Sequence, residues 1–128
     1  MRSAAAARYL AIADAGNRRL DTDFDRLTGP DRGSLPAARA DLRDAAATER
    51  RFDRSLPAIA LPSATEAVAH TLFTVNEARA ALTTEAASST GLPQLHVYEQ
   101  RLSAANRPVE QAVTTIRSQL GLPPPDTS

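Results

Sequence analysis

The chain has 128 residues, enough for one domain with a single core and too few for two. Its 15 basic and 15 acidic side chains cancel, so no bulk field selects nucleic acid or an anionic membrane surface. Cysteine is absent, which excludes disulfides, thiolate catalysis and thiolate-held metals, and no apolar run approaches the ~20 residues of a membrane span.

Every basic residue is Arg and none is Lys. Arg alternates with Asp at helical spacing, as in Asp14/Arg18, Arg19/Asp23 and Arg50/Asp53. We read these as solvated pairs along helix faces, not as a phosphate-binding surface. The start Met1-Arg2-Ser3-Ala4 is no signal peptide, and the chain opens almost directly into helix. That opening favours an extracytoplasmic protein, secreted or membrane-anchored with its targeting segment removed, over a cytoplasmic one.

Ser3 is placed to cap a first helix running to about Leu27, with an apolar stripe of Tyr9, Ala13, Gly16, Leu20, Phe24 and Leu27. Thr28-Gly29-Pro30-Asp31-Arg32-Gly33 reads as a turn. Ser34 caps a second helix whose stripe is Leu35, Ala38, Leu42, Ala45, Glu49, Phe52 and Leu56, ended or kinked by Pro57. Ser63-Ala64-Thr65-Glu66 has the form of a capping box before a third helix, with Val68, Leu72, Val75, Arg79, Leu82 and Ala86 inward. A fourth helix from about Pro93 turns Leu95, Tyr98, Leu102, Ala105, Val109, Ala112 and Ile116 inward. Gly121 and Pro123-Pro124-Pro125 end it, leaving residues 123–128 as a disordered tail after a single domain over 1–122. Four helices of similar length with short connections predict an all-α, antiparallel up-down-up-down four-helix bundle. Phe24, Phe52, Leu72 and Leu102 are its expected bulky fillers.

Each stripe is interrupted by a polar residue near mid-length. Aligning the antiparallel helices by their connections brings Asn17, Asn76 and Asn106 to one level, with Glu49 and Arg79 about a turn to either side. Wheel angles put Glu49 and Arg79 at the centres of their faces, and Asn76 and Asn106 on the flanks. Buried charges need partners, so Glu49 and Arg79 are candidates to pair, directly or through an Asn or a water. This layer is read first as a network fixing helix register and second as a small-ligand or metal-binding pocket.

His70 and His96 point away from the stripes. Glu66 and His70 have the wrong order and spacing for a ferritin-like di-iron motif, so no metal and no cofactor are expected. Ala69-His70-Thr71-Leu72 resembles the start of the histidine-phosphotransfer signature, which implies an exposed His on a helical bundle. In that family Lys and Gly follow, whereas here Phe73 and Thr74 do, so the cation that helps hold phosphate is missing. Phe73 itself lies off the inward stripe, as a flank contact or a small patch for a partner.

The segments Ala15-Gly16-Asn17-Arg18-Arg19-Leu20-Asp21, Thr48-Glu49-Arg50-Arg51-Phe52-Asp53 and Asn76-Glu77-Ala78-Arg79 resemble uncharacterised exported or membrane-anchored helical proteins of high-GC bacteria. The resemblance implies an extracytoplasmic setting and carries no activity. The expectation is a non-enzymatic interaction or structural module with a protein partner at the cell envelope and no nucleic-acid partner. The ligand-binding layer ranks second and a phosphotransfer-like regulatory bundle third. Oligomeric state has no signature in the sequence.

Overall fold

A computed structural model describes residues 2–125. Its α-helices are α1 (Ala4–Thr28), α2 (Leu35–Ser55), α3 (Ser63–Ala86) and α4 (Leu92–Gln119), with one 3-10 turn, Leu56–Ala58, after α2. No strand occurs among the described residues. Helices consecutive in the chain pack side by side, α1 on α2, α2 on α3 and α3 on α4. Each short connection reverses direction, so the fold is the expected four-helix bundle.

Local chemistry sets most of the ends. The Ser3 hydroxyl accepts from the Ala6 amide at 3.1 Å and that of Ser34 from Ala37 at 3.4 Å, each relieving one orphan donor. At the end of α4, Gly121 takes φ +70° while the amides of Gly121 and Leu122 donate to Ser118 and Arg117, a glycine-based helix stop. α3 departs from expectation. Its cap position is Pro62, whose carbonyl accepts from Thr65 and Glu66, and Ser63 already lies inside the helix. With the helix starting one residue early, the expected capping box does not form. The Pro-rich tail also begins anchored. Leu122 is buried and the Pro123 carbonyl accepts from Arg117 Nε at 2.7 Å; the rest of the expected disordered tail, 126–128, lies outside the described residues.

The apolar core divides into two clusters. One joins Tyr9, Leu56, Leu72, Val109 and Ile116, and the other joins Leu27, Leu42, Ala86, Leu95 and Leu102. Each draws on the opposite halves of successive helices, as an antiparallel arrangement requires. Phe52 meets Tyr9 edge to face at 6.3 Å. Leu72 and Leu102 fill the core as expected, but Phe24 and Phe52 are only half-buried, and Tyr9, Leu42 and Ile116 take the deepest places. On α3 the buried row is Thr65, Ala69, Leu72, Asn76, Ala80, Thr83 and Ala86, whereas Val68, Val75, Arg79 and Leu82 are half-buried. The helix is turned about one residue from the predicted stripe. Because α3 packs on both α2 and α4, its small residues occupy the crowded centre and its branched ones fill the seams.

Candidate functional site: the polar layer

Between the two apolar clusters lies a set of polar side chains contributed by α2, α3 and α4. Glu49 and Asp53 stand one turn apart on α2, and Asn76, Arg79 and Thr83 follow a single face of α3. Glu49 is 1% exposed, Asn76 3%, and Asp53 and Thr83 are fully enclosed. Asn76 is the hub. Its Nδ2 donates to Asp53 Oδ1 at 2.7 Å and to the Glu49 carbonyl at 3.3 Å, while its Oδ1 accepts from Arg79 Nη2 at 2.8 Å.

Arg79 reaches in from the seam. Its Nη1 donates to Asn106 Oδ1 on α4 at 3.1 Å, and its Nε sits 3.5 Å from Glu49 Oε2. That last contact is an ion pair without hydrogen-bond alignment, since both atoms lack a hydrogen-bond partner. Thr83 Oγ1 is within donating reach of both Glu49 Oε1, at 3.2 Å, and the Arg79 carbonyl, at 2.9 Å. One guanidinium thereby ties three helices together, which its planar fork of donors suits.

Two acids face one cation in this enclosure, and the imbalance appears in their proton affinity. Burial pushes Glu49 above the usual carboxylate range, against the pull of Arg79 and the Thr83 hydroxyl. Burial likewise raises Asp53 to about 7; the Asn76 hydrogen bond opposes this, and the Glu77 and Glu49 charges add to it. The layer can therefore hold a proton near neutrality.

Of the expected residues, the structure brings together Glu49, Asn76, Arg79 and Asn106 and leaves Asn17 out. Asn17 is exposed. Its neighbour Gly16 faces α2 instead, where an added Cβ would lie 3.8 Å from Thr48 Cγ2, and one residue along a helix is a rotation of about 100°. The positions of Asn76 and Arg79 are also exchanged relative to expectation, the amide at the centre and the guanidinium on the flank. Sequence reasoning missed Asp53 and Thr83. Their signals were an i+4 step from Glu49 and an i+7 step from Asn76, masked by reading Asp53 as the surface partner of Arg50.

The Arg–Asp surface pairs are likewise re-partnered. Arg19 Nε and Nη2 fork onto Asp44 at 2.8 and 2.7 Å, and Arg50 reaches Glu77 at 3.3 Å, each across two helices. Asp23 and Asp53, their expected intrahelical partners, are buried.

Two hollows stand out on the surface of the described residues, and neither is lined by a residue of the layer. One, of about 370 Å³, lies between α1 and α2 and is lined largely by Asp and Arg. The other, of about 300 Å³, sits at the elbow between α2 and α3, lined by Leu56, Ile59, Leu61 and Phe73 with Glu66 and His70. His70 is exposed and has no Arg among the residues sharing its hollow. Among the described residues no three His, Asp or Glu side chains gather as metal ligands would, and no helix is long and apolar enough to cross a membrane. Compared with known proteins, the chain matches no family model, no curated protein and no solved structure.

Proposed function

We propose that this chain is a non-enzymatic helical-bundle interaction module, stiffened by its polar layer and engaging a protein partner at the α2–α3 elbow. The supporting observation is how the layer spends its polar groups. Asn76, Arg79, Asn106, Thr83 and the two acids bond mainly to one another. The concave apolar surface lies elsewhere, around Phe73.

At about 300 Å³ the elbow hollow is at the small end of ligand pockets, suited to one or two apolar side chains from a partner segment. Glu66 beside it favours a basic residue next to those side chains. A cell-envelope setting for this partner rests on the resemblance drawn from the sequence. The second reading, a small ligand in the layer, draws on Asp53 Oδ2 and Arg79 Nε, which have no hydrogen-bond partner.

A photo-crosslinking residue at position 70, introduced in the native cells, tests the first reading. The expected result is one discrete adduct that disappears in a Phe73→Glu background whose melting temperature is unchanged. An adduct indifferent to Phe73→Glu, or none at position 70, would overturn it. For the second reading, ligand-induced stabilisation lost in Asn106→Ala would be the sign.

A further inference from the structure

The elbow hollow and the outer face of α4 complement one another in shape and charge. The hollow has an apolar floor of Leu56, Ile59, Leu61 and Phe73, and Glu66 is the one acid on its wall. Glu66 is exposed and belongs to none of the ion pairs among the described residues. No Arg lines the hollow beside it.

Val97 is the matching knob. It is 49% exposed, and no other Val, Leu, Ile or aromatic side chain among the described residues is exposed. Pro93, Val97, Ala104 and Pro108 form an exposed row at helical spacing on the outside of α4. The exposed arginines of that stretch are Arg101 and Arg107, and its single acid, Glu99, is half-buried. Arg101 stands one turn beyond Val97, its guanidinium 5.4 Å from the centroid of the Tyr98 ring and in no ion pair among the described residues. Side chains at i and i+4 are about 5–6 Å apart at Cβ, so Val97 can seat on the floor of the hollow while Arg101 meets Glu66 at its wall.

We propose that the occupant of the elbow hollow is a second copy of this chain, which seats Val97 on the apolar floor and sets Arg101 against Glu66. This names the partner of the elbow and rests on that reading. Val97 does not line the hollow of its own chain, since α3 leads away from the elbow and α4 begins at the far end of the bundle. Knob and hollow are different surfaces, so each junction leaves one of each free and the copies join head to tail, not as a two-fold dimer. One apolar side chain and one ion pair bury well under the ~1,200 Å² of a standard interface, so the association is weak and reversible.

Sedimentation velocity of the full chain from about 10 µM to about 1 mM tests it. The expected result is an average mass that climbs with concentration, and a chain held monomeric by Val97→Glu at its exposed site. Phe73→Glu should do the same. An equal mixture of the two folded variants should give heterodimers and nothing larger, because one knob and one hollow remain between them. Glu66→Arg should weaken association on the order of tenfold or more, and adding Arg101→Glu should restore it; this charge swap stands even where Phe73→Glu fails to fold. A chain monomeric throughout, growth indifferent to Val97→Glu, a mixture of folded variants that stays monomeric, or no recovery in the charge swap would each overturn the proposal. The crosslink at position 70 separates the two readings. An adduct at twice the chain mass supports both, one at another mass that Phe73→Glu abolishes upholds the elbow and overturns self-association, and no adduct overturns both.

Discussion

Arg79 is the residue on which the polar layer turns, because three of its nitrogens face Asn76, Asn106 and Glu49. Arg79→Met leaves the buried Asn76 and half-buried Asn106 amide oxygens without their donor and Glu49 without its counter-charge. Removing one partner of a buried pair costs more than the pair contributes, since the other charge stays behind. We expect a loss of about 3–5 kcal/mol in urea melts near pH 8, shrinking as pH falls, since burial raises the proton affinity of Glu49 and protonation sheds its charge. A loss under about 1 kcal/mol at the higher pH would show that Glu49 does not depend on Arg79.

At the level of whole helices, the close approach of α1 to α2 at Gly16 is open to a simple test. Glycine inside a helix is less favourable than alanine by roughly 0.5–1 kcal/mol, because it loses more backbone freedom on folding. An added Cβ here would sit 3.8 Å from Thr48 Cγ2, an ordinary contact that needs no movement. Gly16→Ala should therefore stabilise the protein by about 0.5–1 kcal/mol, measured as a higher urea midpoint at unchanged slope. A lower midpoint would mean that α1 and α2 require the bare backbone. Gly29 is the contrasting position, since a Cβ there would lie 2.8 Å from the Asp25 carbonyl oxygen.

The molecule as a whole should be most stable at mildly acidic pH. Asp23 and Asp53 titrate at about 7 and Asp41 at about 6 in the fold, and Glu49 is shifted the same way. In the unfolded chain these acids titrate at about 4. Between those limits the folded protein holds the extra protons, so their contribution is full at the low end and is lost as pH rises through about 7. Asp44, held at about 2 by Arg19, acts oppositely and loses its contribution as pH falls below about 4. Melting temperature should peak between about pH 4 and 6 and fall by roughly 5–10 °C towards pH 8. Asp53→Asn, which mimics the protonated acid beside Asn76, should flatten that fall. A profile that is flat or rises to pH 8 would contradict the burial of these acids.

The sequence by itself determined the bundle, its helix count, most of its ends and the existence of a polar interruption. Apolar spacing, Ser and Gly caps and Pro breaks act within a few residues of the chain and need no partner. Glu49, Asn76, Arg79 and Asn106 were legible for the same reason, as polar residues in or beside apolar rows. Only the tertiary structure decided which acid each arginine holds, because Arg19 and Arg50 have an intrahelical and a cross-helix carboxylate within reach and burial selects between them. It also decided the rotation of α3 and the exclusion of Asn17. A rotation of one residue moves a side chain from enclosure to solvent, and that angle is set by packing against two neighbours at once.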